Sequence, residues 1–497
     1  MSAVATERPA APGDQEDEAS CPGAPAAAVC AAPAGSVREL IRVALPLVLS
    51  SGSLSLMNVI DRVFLTWYST DALAASTPAG LLHWTAMSLV IGTAGCVTTF
   101  VAQYEGAGRK NRVAAAVWQG VWLSLTAGLI FLAVVPLSPA IFRWAGHAPA
   151  VQRLEIEYFS VLCFGAVPMT LCAALAGFYS GRGRTTTVMW VNLGLALTNI
   201  TLDPLLIWGV GPLPELGMRG AALATVIAYV GAATAYFLLM ARRAERQEYA
   251  VWSSWRFDRE LFGRLLKFGL PTGGQFLVDI AGFTLFLCLV GRLGPLCQQA
   301  TNLAFNLNGL SFVPLMGLGT AVMSLIGRRI GEGRPELAAK TVWAAFALGG
   351  GWMLLFGAVY TLLPDLILAP YAAGADPNEF AALRDTAVVL LRYVALFAFF
   401  DAMVVVFSSA IRGAGDTRFP MIVLLVTSWG LMLGPVAVAE RLGRNTLHFS
   451  WAMCTVAVVV SGGAMLARFL QGRWKELRVI EAAPADEPRL APEPAGA

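Results

Sequence analysis

Four carboxylates stand inside apolar, helix-length stretches of this chain: Asp61, Asp203, Asp279 and Asp401. An ionised acid at the centre of a bilayer costs about 2.5 to 3.5 kcal/mol on insertion scales, so intramembrane acids face a cavity, a partner or a translocated ion. Asp61 follows Arg42 by 19 residues and Asp203 follows Arg184 by 19, placing both roughly 28 Å from the basic ends of their helices. Asp279 lies 12 residues after Lys267 and Asp401 lies 11 before Arg412, each roughly 17 Å deep. Asn199 precedes Asp203 by four residues and shares its helix face. The chain thus offers two carboxylate pairs, an outer-half pair in its first part and a midplane pair in its second. Two carboxylates in one apolar cavity hold a proton or a metal cation more tightly than water does. That is the chemistry of a coupling site, occupied by a small cation in one state and by an organic cation, or nothing, in the other. The alternative for Asp401 is a carboxylate satisfied by Ser408 or Ser409, one to two turns on. Arg62, beside Asp61, is an intramembrane cation that needs its own partner, Asp203 or another acid, or an outward path to the interface.

The elements that must position these groups follow from composition. Of 497 residues, 57% are hydrophobic and 13% charged, against about 25% charged in soluble proteins. The 49 glycines fit a membrane protein whose helices approach closely. Twelve apolar runs, at about 40–68, 79–104, 115–137, 157–180, 187–209, 219–241, 264–290, 297–327, 340–364, 385–411, 419–439 and 447–471, reach the roughly 20 helical residues that cross a hydrocarbon core. Pro46, Pro168, Pro271 and Pro314 fall within them, as membrane helices tolerate when neighbours satisfy the freed backbone.

Shifting the sequence by 225 places Arg42 on Lys267, Leu45-Pro46 on Leu270-Pro271, Gly106 on Gly331, Gly108-Arg109 on Gly333-Arg334 and Trp118 on Trp343. Farther on, a shift of 232 aligns Gly181, Gly183 and Thr185 with Gly413, Gly415 and Thr417. Six helices per copy is an even number, so both copies enter from one side as parallel repeats, a habit of transporters. The fold expected is all-α and integral to the membrane, twelve helices in two six-helix parallel-repeat bundles around a central cavity. The boundaries expected are a disordered tail over 1–35, bundles over 36–241 and 264–472, a connecting segment over 242–263 and a second tail over 473–497. Basic residues concentrate on the side of the termini, which puts both termini in the cytoplasm. Trp252 and Trp255 suit a membrane-surface helix joining the halves.

Other functions find little support. The net charge of +3 is small and spread between apolar runs, so no nucleic-acid partner is expected. No GxxxxGK[ST], HExxH or metal-spaced His/Cys group occurs, and His83 reads as polar packing, so no enzyme is expected. Cys96, Cys163, Cys172, Cys288 and Cys454 read as small core residues.

Asn199-Ile-Thr-Leu-Asp203-Pro204-Leu205, followed by Pro214-Glu215-Leu216-Gly217-Met218-Arg219-Gly220-Ala221-Ala222-Leu223-Ala224-Thr225, resembles the fifth-to-sixth-helix signature of the multidrug and toxic compound extrusion (MATE) family. The resemblance covers roughly 38–472. It implies that Asp61 is that family's first-helix acid, Asn199 and Asp203 its fifth-helix pair, and Asp279 and Asp401 the seventh- and tenth-helix acids of NorM-type members. Asn306 resembles an eighth-helix asparagine near that second site. The chain departs from the family at two positions. Arg62 replaces the usual threonine, and Phe397 replaces a tyrosine one turn before Asp401, removing a hydroxyl that would favour Na⁺ over H⁺. The resemblance implies a monomeric antiporter in the lipid bilayer with no cofactor. Na⁺ or H⁺ would couple at Asp61, Asn199, Asp203, Asp279 and Asp401, and Na⁺, if used, would sit at Asp279 and Asp401. Its substrates would be amphipathic, cationic organic compounds exported by alternating access, with Asn306, Arg62 and Phe397 lining the cavity. The alternatives are a flippase for a lipid-linked or polymeric substrate in the same superfamily, and an intramembrane enzyme.

Overall fold

The computed structural model of the chain describes residues 35–145, 147–211, 214–372 and 377–481. Eleven single helices among them are long and apolar enough to cross a membrane, and one bent pair, counted as a single span, makes twelve. They are α1 (Val37–Tyr68), α2 (Thr70–Gly106), α3 (Lys110–Arg143), α4 (Pro149–Phe164 with Ala166–Ser180), α5 (Thr185–Ile207), α6 (Met218–Met240), α7 (Arg259–Gly291), α8 (Pro295–Gly331), α9 (Pro335–Leu362), α10 (Phe380–Ala414), α11 (Arg418–Arg441) and α12 (Leu447–Leu470). All twelve expected runs are present. The two parts of α4 meet at 44°, where Pro168 has no N–H to give the carbonyl of Phe164.

Local signals set several ends. Ser36, Asp258 and Thr446 cap α1, α7 and α12 with their side chains. Gly108 and Gly333 both take left-handed backbone, at φ 73° and 72°, and turn the chain after α2 and α8 at matching points of the two repeats.

Two bundles, α1–α6 and α7–α12, pack through α1 on α8 and α2 on both α7 and α8. The repeat also governs this interface. Gly92 of α2 lies against the backbone of Gly273 in α7, and Gly317 of α8 lies against the backbone of Val48 in α1. The 225-residue shift carries the first contact onto the second, because Gly92 maps to Gly317 and Val48 to Gly273. Gly106 against Arg328 and Gly331 against Gln103 form a further exchanged pair. Each lobe therefore presents one patch to its own counterpart, as in a two-fold dimer. Counting back from Gly106 and Gly331, this closure runs about 20 Å inward from the basic face.

The structure departs from expectation at three points. The surface helix is only Arg243–Glu248, and Trp252 and Trp255 follow it in irregular chain. Ala250 takes φ 51°, the rings of Trp118 and Phe237 hold Trp252, and the indoles of Trp118 and Trp122 donate to the carbonyls of Val251 and Trp255. These contacts tie the segment to the first lobe. Residues 473–481, expected as unstructured tail, fold onto the body because Trp474, Val479 and Ile480 bury, Trp474 stacking on Phe469 at 5.0 Å. The remainder of that tail, and the 1–35 tail apart from Gly35, lie outside the described residues. Cys96, Cys163, Cys172 and Cys454 are buried, but Cys288 is exposed and not a core residue.

Candidate functional site

In the first lobe, Asn199 and Asp203 stack one turn apart on α5, both fully buried. The Asn199 Nδ2 donates to Asp203 Oδ1 at 3.3 Å and to Thr225 Oγ1 of α6 at 3.2 Å. Thr225 gives its own proton to the Ala221 carbonyl at 3.2 Å, so its oxygen can only accept from Asn199, which fixes the amide's orientation. Asp61 of α1 is the charge that acts on Asp203. The buried Tyr158 of α4 faces Asp61, Asp203 and Arg62. Asp61 Oδ1, Asp203 Oδ2 and Asn199 Oδ1 are buried acceptors without a protein donor among the described residues. Such oxygens call for a proton, a cation or water.

In the second lobe, Asp279 of α7 is the charge that acts on Asp401 of α10. Asp279 is exposed and Asp401 half-buried. Their helices share α8 as a neighbour and have no extensive contact with each other. Neither carboxylate has a hydrogen bond or ion pair within the described residues. Ser408 donates to the Val405 carbonyl and Ser409 accepts from Arg412, so neither serine satisfies Asp401. Cys454 of α12 lies near Asp401. Within α11 the backbone widens to π-helix over Leu425–Leu433, a feature common at functional sites, and Trp429 donates its indole N–H to the Val278 carbonyl at 3.2 Å, next to Asp279.

Asp61 and Asp203 thus stand on two helices that pack together, and Asp279 and Asp401 on two that share α8 as a neighbour, each pair within its own lobe. Phe397 does not line a cavity: it is 2% exposed, packed in the second lobe's apolar core. Asn306 is exposed with no hydrogen-bond partner among the described residues. Arg62 is exposed and forms no ion pair within them, with Asp203 or any other acid. Sequence reasoning assigned no role to Thr225, Tyr158 or Trp429, and read Cys454 as a small core residue. Thr225 closes the Pro214-to-Thr225 stretch that carries the family resemblance, which is the signal it offered.

At the basic face the lobes are bolted together. Glu39 Oε1 meets Arg329 Nη2 at 2.6 Å, and Gln103 Nε2 donates to the carbonyls of Gly413 and Ala414 at 3.0 and 3.2 Å. Ser324 of α8 donates to the Ser180 carbonyl. The polar bonds that join α1–α6 directly to α7–α12 lie at this end of the helices.

The MatE family profile matches residues 46–205 and 271–436, so its two copies begin 225 residues apart, the shift found within the sequence. The "Probable multidrug resistance protein NorM" of Xanthomonas campestris pv. campestris is 30% identical over 399 residues, 80% of this chain and 86% of its own. The fold is that of a MOP superfamily transporter from Pyrococcus furiosus, with TM-score 0.79 at 20% identity over 89% of this chain and 97% of that one. It is also that of a multidrug resistance MATE family transporter in an outward-facing conformation, with TM-score 0.76 at 21% identity over 88% and 95% of the two chains. The chain belongs to the MatE family and is a multi-pass inner-membrane transporter, not an enzyme.

Proposed function

We propose that this transporter is an antiporter in which entry of Na⁺ or H⁺ drives export of amphipathic, cationic organic compounds. The observation that carries the reading is the unsatisfied acids of each lobe: Asp61 Oδ1, Asp203 Oδ2 and Asn199 Oδ1 are buried without a protein donor among the described residues, and Asp279 and Asp401 stand on helices that share α8 as a neighbour, with no hydrogen bond or ion pair among those residues. A small cation satisfies such a site, and its departure leaves negative charge to attract an organic cation. Asp279, which is exposed, and Asp401 carry the main coupling step, while Asp61, Asn199 and Asp203 form a protonation-linked control. Carboxylate oxygens suit a hard cation such as Na⁺ as well as a proton. With the lobes bolted at the basic, cytoplasmic face, the conformation described corresponds to an outward-facing state. The two lobes over 36–241 and 264–472 rock about the glycine-lined interface, and moving one charge through 100 mV supplies about 2.3 kcal/mol.

The test is efflux of a fluorescent organic cation from proteoliposomes under a pure Na⁺ gradient and then a pure pH gradient. Wild type should respond to at least one of them. Coupled transport that survives Asp401→Asn would sink the reading.

A further inference from the structure

The pseudo-symmetric closure at the cytoplasmic face is incomplete in its own residues, and the C-terminal segment completes it. Under the 225-residue shift Glu39 corresponds to Arg264, and Tyr104 to Arg329. In one half of the closure Glu39 and Arg329 form the direct ion pair between lobes. In the mirrored half the same two positions hold Arg264 and Tyr104, a guanidinium that only donates and a phenol, so no carboxylate is present to join them.

Glu481 supplies that carboxylate. Its Oε2 accepts from the Tyr104 hydroxyl at 2.7 Å and from Arg264 Nη1 at 2.8 Å, one oxygen bridging the two positions. Its Oε1 meets Arg109 Nη2 at 3.1 Å and Arg112 Nε at 3.2 Å, and its main-chain carbonyl accepts from Arg109 Nη1 at 3.2 Å. Tyr104, Arg109 and Arg112 belong to the first lobe; Arg264 belongs to the second. The segment itself is rooted in the second lobe, since it leaves α12 through Gly472 and is pinned there by the buried Trp474. Two residues before Glu481, the Val479 N–H donates to Gln103 Oε1 at 2.9 Å, and the amide of that same Gln103 grips the end of α10.

We infer that residues 473–481 are a built-in latch: Glu481 is a tethered ligand for the Tyr104–Arg109–Arg112–Arg264 cradle, replaces the acid missing from one half of the interlobe closure, and must leave the cradle before the cavity opens to the cytoplasm. The inference rests on the alternating-access reading. It assigns the segment a role in setting how long the transporter stays closed on that side.

Pulsed electron paramagnetic resonance on the full-length chain in lipid nanodiscs tests it. Spin labels go at the exposed positions 111 and 334 of the two lobes, with the native cysteines replaced. Glu481→Gln keeps the side chain's shape and removes its charge; Arg264→Gln removes one of its donors and leaves Tyr104, Arg109 and Arg112 in place. Glu481→Gln should raise the population with separated labels about threefold to tenfold, and Arg264→Gln should raise it less. The double variant should shift it no further than Glu481→Gln alone, since the Arg264 bond is one of those that Glu481 makes. Wild-type distances in Glu481→Gln, or additive effects of the two changes, overturn the latch. The labels report distance and not flux, so failure of the coupling sites in transport assays leaves this result separately readable.

Discussion

Gly331 sits so close over Gln103 that a β-carbon on it would lie 2.2 Å from the Gln103 carbonyl oxygen. Gly106, its counterpart in the first repeat, would place one 2.1 Å from the Arg328 carbonyl. No flexible side-chain end can yield there, because both obstacles are backbone. Gly331→Ala should therefore penalise the closed arrangement by about 1 to 3 kcal/mol, the usual cost of overpacking. Fewer molecules should then be closed at the cytoplasmic face. Distances between labels on the two lobes check this, and Gly106→Ala should act in the same direction. An unchanged distribution in both would mean that the lobes part by a route other than separation of these backbones.

Thr225 fixes the Asn199 amide, and Asn199 in turn supplies the Asp203 hydrogen bond. Thr225→Val keeps the volume and removes the oxygen, leaving Asn199 free to rotate and offer its own oxygen to Asp203. A hydrogen bond of this kind contributes about 0.5 to 1.5 kcal/mol. Efflux driven by a pH gradient should shift its midpoint by up to about one pH unit, with little change in maximal rate. A midpoint identical to wild type would remove Asn199 from the control role.

The parts legible in the sequence were those on which hydrocarbon imposes a hard requirement. A helix must offer about 20 apolar residues to cross, so all twelve spans could be read, and an acid within one is costly enough to be noticed. Depth counting then gave the expectation that Asp61 pairs with Asp203 and Asp279 with Asp401. Thr225, Tyr158 and Trp429 escaped notice because hydroxyls and aromatics are ordinary contents of membrane helices, and only three-dimensional packing brings them to the acids. Phe397 shows the reverse error. Spacing of four residues fixes a shared helix face with Asp401, but not whether a neighbour fills the space in front of it. The segment over 473–481 was obscured because Trp474, Val479 and Ile480 are too scattered to form a periodic pattern beside an Ala/Pro-rich tail.

Glu481 gives the latch a pH limit. Burial pushes its carboxyl up, but the Tyr104 hydroxyl and the Arg112 and Arg109 guanidiniums outweigh that and hold it below its ordinary value of 4.5. A carboxyl held low in the closed state stabilises that state fully above the ordinary value and loses its effect as pH falls through its own lower one. The other groups at the site are Arg264 and Asp258, the latter bonded to Arg112 at 3.1 Å and also held below the usual carboxylate range. Label distances across the cytoplasmic face should therefore be constant from pH 7 down to about 5 and separate only in more acid solution. In Glu481→Gln the open population should already be raised at pH 7. Opening of the wild type near pH 6 would assign the transition to other groups.

Trp429 connects the π-helical stretch of α11 to the main chain beside Asp279. Its N–H occupies the Val278 carbonyl, which holds the backbone of α7 and hence the direction in which Asp279 leaves the helix. Trp429→Phe retains an aromatic ring and deletes the donor. The loss of one such bond, about 0.5 to 1.5 kcal/mol, should raise the cation concentration for half-maximal efflux roughly twofold to tenfold while leaving the limiting rate near wild type. Trp343→Phe, in the aromatic packing of α9 with α10 and α12, should leave that concentration unchanged. If both substitutions shift it equally, the effect belongs to general helix packing; if neither does, Asp279 is oriented without help from α11.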